Sequence, residues 1–179
     1  MELPKFSAYF TNNFSSYISS QVDEVQNISD SHKKLHHRLT HTQKICVSWW
    51  KRMRPYISYL SYFWYGWYDL DTLVNASISL ELIHSLALIV DDIIDKSAKR
   101  HGQQTLHTWL QSIYEMDRHY AEMYTVLISD YLYNRVFNNI INIQWISAQQ
   151  KLDAINQLNK ALNEVITWQI LDIDMQKNE

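Results

Sequence analysis

The sequence predicts an all-α protein, and three observations lead to this class. The 179 residues include only 2 glycines and 2 prolines, whereas turn-rich β folds need more of both. Apolar residues recur at helical spacing along most of the chain, beginning with Phe6, Tyr9 and Phe10. No stretch shows the strict alternation of a half-buried strand. We therefore expect a bundle of long helices that forms a single domain over residues 1–179.

Each helix is predicted from apolar spacing together with residues that start or stop helices. Residues 5–27 form the first predicted helix, and a polar, histidine-rich helix follows the SDSHKK break and ends near residue 43. Pro55 suits the first turn of a third helix that ends near residue 68. The remaining helices are expected, around a basic loop at residues 96–104, over residues 73–95, 105–117, 118–143 and 147–176. In this division, residues 1–44 are N-terminal helices and residues 45–179 are the core.

The histidine-rich helix holds two pairs of histidines with HxxxH spacing: His32, His36, His37 and His41. Two histidines one helical turn apart can bind zinc. No acidic residue that could serve as a general base accompanies them. We therefore expect a solvated polar face here rather than a zinc site.

Charge and composition exclude several classes of function. The net charge of -3 gives no basic footprint for nucleic acid. The single cysteine, Cys46, excludes an internal disulfide and suits the reducing cytoplasm. No signal peptide is evident, and no run reaches the roughly 18 uncharged apolar residues of a membrane span. We expect no transmembrane segment, because Glu81 and His84 interrupt the longest apolar run.

The segment LIVDDIID (88–95) places three carboxylates at the end of an apolar helix. Asp91, Asp92 and Asp95 fall within one arc of that helix. Like charges one turn apart repel each other, and the C-terminus of a helix disfavours anions. A Mg²⁺ ion would relieve both effects, since it is usually held by one or two carboxylates plus substrate phosphates. The alternative is a solvated helix end that is neutralised by Lys96, Lys99 and Arg100.

Basic residues on both sides of this segment favour the metal hypothesis. One basic cluster lies upstream in KRMRP (51–55), and Arg100, His101 and Gly102 follow downstream. Helical steps back from the aspartates place His84 on their face. An acidic cluster between basic clusters is the pattern expected for a diphosphate held by metal on one side and by cations on the other.

Three motifs, in order, give a resemblance to a known family. The run LELIHSLALIVDDIIDKSAKRHGQQTLH (80–107) resembles the first aspartate-rich region of trans-isoprenyl diphosphate synthases, the polyprenyl synthetase family. KRMRP resembles the GKRxRP motif of that family, and WQILDID (168–174) resembles its GQxxDL motif. The resemblance covers roughly residues 45–177. It implies a helical bundle of the isoprenoid synthase type, of which this chain carries the N-terminal helices.

The resemblance assigns the allylic substrate to the end of the aspartate-bearing helix. Asp91, Asp92 and Asp95 would bind Mg²⁺ that bridges an allylic diphosphate. Arg100 would contact that diphosphate, and His101 would lie beside it, where the family has a second arginine. The cofactor implied is Mg²⁺.

The resemblance assigns isopentenyl diphosphate to a neighbouring subsite. Lys51, Arg54 and His84 would bind its diphosphate, and Gln169 and Asp172 would line the cavity. The wall of that cavity would be formed by apolar residues before the aspartates: Leu80, Ile83, Leu86 and Ala87.

The implied activity is the Mg²⁺-dependent condensation of isopentenyl diphosphate with an allylic diphosphate, by a homodimer or together with a second prenyl synthase chain. The family carries a second DDxxD motif in its C-terminal half, and residues 130–179 contain none. Two interpretations therefore stay open. The chain is a prenyltransferase or the N-terminal half of one, or it is a non-catalytic binding or regulatory subunit of a prenyl diphosphate synthase heteromer.

Overall fold

A computed structural model describes residues 2–26, 33–48, 52–144 and 146–176, and these residues confirm the all-α prediction. The described parts of the chain form seven helices: α1 (Leu3–Gln26), α2 (Lys33–Ser48), α3 (Met53–Trp64), α4 (Leu70–Ile94), α5 (Leu106–Tyr114), α6 (Arg118–Asn142) and α7 (Ala148–Gln176). Every predicted helix is present, and most of the predicted ends lie within a few residues of those observed.

Two helix ends near the centre of the chain differ from the prediction for identifiable reasons. α3 ends at Trp64 because Gly66 adopts a left-handed backbone with φ of 80°. Its N–H and that of Trp67 donate to carbonyls in the last turn of α3, which is a common way to stop a helix. α4 then begins three residues earlier than predicted. Asp69 caps it by accepting hydrogen bonds from the backbone N–H groups of Asp71 and Thr72.

A short hairpin lies where only a basic loop was predicted. Strand β1 (Lys99–Arg100) pairs antiparallel with strand β2 (Gln103–Gln104). His101 and Gly102 connect them, both with positive φ (51° and 81°), as tight two-residue hairpin turns require. The basic loop predicted over residues 96–104 is therefore in part a hairpin. Strands of two residues are too short to show an alternating pattern.

The core is a single cluster of buried side chains that joins α1 and α2 to α3, α4, α5 and α6. α4 packs most extensively against α6. From α1, Phe6, Phe10 and Phe14 contribute fully buried rings that stack along one face. The N-terminal helices, which carry little of the family resemblance, thus contribute to the same core as the later helices.

The described histidines of α2 form only part of the solvated face that we expected, because His37 is exposed whereas His36 and His41 are half-buried. The ring of His41 stacks on Trp109 of α5, with centroids 3.7 Å apart and planes 5° apart. His37 forms a 2.7 Å hydrogen bond with the Tyr114 hydroxyl. His32 lies outside the described residues. The expectation is therefore wrong for His41, because α5 brings an aromatic surface that the sequence of α2 does not reveal.

α4 is long and apolar enough to cross a membrane, by length and composition alone. Half of its apolar window is buried against other parts of the protein, as is also found in the core helix of a soluble bundle.

The second half of α7 contrasts with the rest of the bundle. The first half packs against α6, and Leu162 is the last buried residue among those described in this helix. Beyond it, large apolar side chains are exposed around the helix: Val165, Ile166, Trp168, Ile170, Leu171 and Met175. Large apolar side chains that project from several sides of a helix are normally covered by other structure.

Candidate active site

Arg100 binds two of the predicted carboxylates at the end of α4. Its Nη2 donates to Oδ2 of Asp91 and its Nε to Oδ1 of Asp92, both at 2.7 Å. The Asp92 side chain is only 3% exposed, whereas that of Asp91 is 33% exposed. One guanidinium therefore offsets the repulsion between two neighbouring carboxylates. Asp95 is exposed and forms the C-cap of the helix.

The hairpin holds Arg100 in this position. Arg100 pairs with Gln103 across the two strands. The buried Thr105 then fixes the base of the hairpin, because its hydroxyl donates to the Ser97 carbonyl at 2.8 Å and its N–H donates to the Ala98 carbonyl. The sequence identified Arg100 as a candidate site residue, but it did not reveal the hairpin that directs the Arg100 side chain toward the aspartates.

Burial governs the protonation of Asp92. Loss of water around the carboxyl raises the pKa of Asp92, while the hydrogen bond and positive charge of Arg100 act in the opposite direction. Its ionisation is therefore sensitive to where Arg100 lies.

A positive environment surrounds His84, which lies on α4 two turns before Asp91. Burial, followed by the positive charges of Arg54, Arg100 and Arg52 in that order, lowers the pKa of His84 to about 4. His84 is therefore neutral at pH 7. Three arginines from two segments, the start of α3 and the hairpin, act on one half-buried imidazole, which makes this region attractive to an anion.

We expect the imidazole of His84 to show no titration between pH 6 and pH 8. Its folded pKa lies below the value of about 6.5 in an unfolded chain. The neutral form thus stabilises the fold above pH 6.5, and this contribution is lost as pH falls toward 4. The histidine ring proton shifts in NMR spectra, assigned with His84→Gln, would measure it. A midpoint above 6.5 would contradict the cationic environment.

A buried ion pair lies next to these residues and was missed by sequence reasoning. Arg52, in the upstream basic motif, donates to the Glu81 carboxylate on α4. The side chains are 0% and 3% exposed, respectively. The position of Glu81 within an apolar helix could have indicated this ion pair, because a buried carboxylate needs a cationic partner. Lys51 lies outside the described residues, whereas Arg54 is exposed in the first turn of α3.

The predicted wall residues lie on a partly open face of α4. Ile83, Leu86 and Ala87 are half-buried, and Leu80 is 36% exposed. Leu80 also borders a cleft of about 380 Å³ that α4 forms with α3, α6 and α7, lined by Leu73, Ala76, Leu80, Ile140, Ile143 and Leu158, among others. The apolar surface thus continues along α4 away from the carboxylates.

Gln169 and Asp172 lie on the second half of α7. Asp172 is exposed and Gln169 is partly exposed. Both lie beyond Leu162, where α7 stops packing against the bundle. Their role as cavity-lining residues stays a prediction.

The carboxylates at the end of α4 have the donor chemistry that Mg²⁺ needs. Their hard oxygen atoms suit this ion. In the described ranges, no group of three or more His, Cys, Asp or Glu side chains is arranged to hold a metal by itself. This is compatible with Mg²⁺, which takes one or two carboxylates and completes its shell with water and phosphate oxygens.

Carboxylates, arginines and a half-buried histidine thus lie together along the last turns of a core helix in an all-α protein. The sequence model of the family described as Polyprenyl synthetase matches residues 38–179. The chain belongs to the polyprenyl synthetase family.

Relatives and a solved structure agree with this assignment. A short chain isoprenyl diphosphate synthase of Methanocaldococcus jannaschii is 27% identical over 164 residues, which is 91% of this chain and 45% of that protein. A geranylgeranyl pyrophosphate synthase of Geoglobus acetivorans is 26% identical over 129 residues, 72% of this chain and 37% of the relative. The chain therefore spans about half the length, or less, of these relatives.

The fold is shared with a solved geranylgeranyl pyrophosphate synthase of Corynebacterium glutamicum, complexed with isoprenyl diphosphate and magnesium. The TM-score is 0.85 at 22% identity, and the match covers 99% of this chain and 52% of the other. The predicted isoprenoid synthase type of all-α fold is confirmed.

Proposed function

We propose that this chain takes part in the Mg²⁺-dependent condensation of isopentenyl diphosphate with an allylic diphosphate. The observation that carries the proposal is that Arg100 binds both Asp91 and Asp92 at the end of α4. Arg100 and Arg54 also both lower the pKa of His84, which lies on the same helix. The names of the relatives support the reaction class. We place it in the cytoplasm, as a homodimer or with a second prenyl synthase chain.

The allylic diphosphate would lie at the end of α4. Asp91, Asp92 and Asp95 would hold Mg²⁺ there, with Asp91 and Asp95 the more accessible. Mg²⁺ would stabilise the departing diphosphate and so favour formation of the allylic carbocation. Arg100 would turn from the carboxylates to the phosphate oxygens, with His101 beside it. It is well placed to do so, because its side chain is partly exposed.

Isopentenyl diphosphate would bind on the basic side of the same face. Lys51 and Arg54 would contact its diphosphate as cations, and His84 would donate a hydrogen bond as a neutral imidazole. Gln169 and Asp172 would complete the lining of the cavity. The apolar residues of α4 would keep water away from the carbocation.

The proposal is tested by incorporation of labelled isopentenyl diphosphate into extractable product, with an allylic primer and Mg²⁺. Asp91→Ala is expected to lower the rate by about 10²–10³-fold, the range for loss of a group that stabilises charge in the transition state. Asp130→Ala, at an exposed aspartate of α6, is the matched control and should leave the rate unchanged.

Two outcomes would contradict the enzyme hypothesis. An unaffected rate in Asp91→Ala would refute the metal assignment. No product from the chain, alone or with a second prenyl synthase chain, would refute turnover. If isopentenyl diphosphate still bound in that case, the protein would be a binding subunit instead.

A further inference from the structure

We infer that Arg52 and Glu81 are positioning residues, which hold Arg54 and His84 at a fixed separation for binding the isopentenyl diphosphate group. This inference rests on the proposed function and deepens it. Neither residue touches the substrate in this scheme, and each acts through a neighbour on its own helix or loop.

The Arg52 side chain ties three helices together. Besides Glu81 on α4, it donates to the Cys46 carbonyl at 3.3 Å and the Val47 carbonyl at 2.7 Å, both in the last turn of α2. Its Nε donates to the Thr11 hydroxyl of α1 at 3.3 Å. The guanidinium thus fixes the place where the chain leaves the core and enters α3.

The backbone of Arg52 is also held in a costly conformation. Its φ of 42° and ψ of 35° lie in the left-handed region, which is unfavourable for a residue with a side chain. Its carbonyl accepts the N–H of Tyr56 at 3.1 Å and so starts α3. Such conformations persist only where the surroundings determine them, and they concentrate at functional sites.

The ion pair links the two backbones that carry the binding residues. Arg54 follows Arg52 by two positions, in the first turn of α3. His84 follows Glu81 by three positions, so it lies on the next turn of α4 on a neighbouring face. A buried ion pair adds little stability compared with apolar residues of the same size. Its use here is explained by the register that it sets between α3 and α4.

The test is the titration of His84 by NMR in the full chain, in wild type and Glu81→Gln. Loss of the negative charge of Glu81 by itself would lower the pKa of His84, because nearby cations would be less offset. If Glu81 positions the cations, Arg54 moves away from His84 and the pKa rises instead. The sign of the change therefore separates positioning from direct electrostatics. A fall, or no change, would overturn the inference.

Binding of isopentenyl diphosphate, measured by calorimetry, gives a second readout. Glu81→Gln is expected to weaken binding by at least about tenfold, which is about 1.4 kcal/mol. In an Arg54→Gln background the same change should have little further effect, because Glu81 acts through Arg54. Additive losses would overturn the inference. Glu122→Gln, which removes the charge of a surface ion pair with Arg118, is the control and should bind as wild type.

An alternative variant and a separate reading of the titration cover the cases in which Glu81→Gln does not fold or wild type does not bind. If Glu81→Gln does not fold, Arg52→Lys takes its place, because it keeps the charge but loses the fork that reaches Cys46 and Val47. The pKa of His84 is again expected to rise. If wild type does not bind isopentenyl diphosphate, the proposed function fails, and the titration of His84 alone decides whether Arg52 and Glu81 position the neighbouring residues.

Discussion

Replacing Phe10 by alanine is expected to lower the free energy of unfolding by about 3–5 kcal/mol, the usual cost of removing a buried aromatic ring. Phe10 is fully buried, and its ring lies between those of Phe6 and Phe14, with centroid separations of 6.1 and 5.8 Å. Denaturation by urea, followed by circular dichroism at equilibrium, would measure the change.

This prediction concerns a segment outside residues 38–179, which the family model matches. A large loss would show that α1 stabilises the same cooperative unit as the helices that carry the site. Asn12→Ala, at an exposed position of the same helix, is the control and should change stability by no more than about 0.5 kcal/mol. An equally small effect of Phe10→Ala would mean that α1 folds independently of the rest.

Replacing Arg100 by alanine is expected to destabilise the fold by about 2–4 kcal/mol at pH 7, because the buried carboxylate of Asp92 loses its cation. The range lies below that of a fully buried pair, since Arg100 and Asp91 are partly exposed. Thermal or urea unfolding of the purified variant would measure the loss. Lys99→Ala, at the exposed neighbouring position, should have little effect.

The loss in Arg100→Ala should depend on pH in a defined direction. The pKa of Asp92 is already raised by burial, and removal of Arg100 raises it further. Below the pKa of about 3.9 that Asp92 has in the unfolded chain, the carboxyl is protonated in both states and the variant loses no stability by this route. The loss of stability grows as the pH rises from that value through the raised pKa of the folded state. The variant should therefore approach wild type near pH 4. An equal deficit at pH 4 and pH 7 would contradict this account.

Magnesium provides a further check on the same variant. If Mg²⁺ binds the carboxylates that Arg100 now occupies, millimolar MgCl₂ should restore part of the stability lost in Arg100→Ala. It should have a smaller effect on wild type, where the arginine competes for the same oxygens. No restoration in the variant would place the metal elsewhere.

The class of the fold and the position of the acidic cluster could be predicted because both depend on local spacing. Helical periodicity and scarce glycine and proline indicate the bundle. Three aspartates at the end of an apolar helix violate local rules clearly enough to indicate a candidate site.

The missed features depend on contacts between distant segments. The pairing of Arg52 with Glu81 joins residues 29 positions apart, and the stacking of His41 on Trp109 requires α5 to lie against α2. The hairpin that aims Arg100 has strands too short for a periodic signal. Arg100 itself was considered both as a phosphate contact and as a neutralising cation, and its described contacts are those of the second role.

The exposed second half of α7 allows a binding surface to shift the folding equilibrium of this chain. Burial of a large apolar side chain is worth about 1.5–3 kcal/mol, and several such side chains lie uncovered there. A surface that covered these side chains and bound only the folded helix would stabilise the bundle. The stability would then rise with the concentration of that surface.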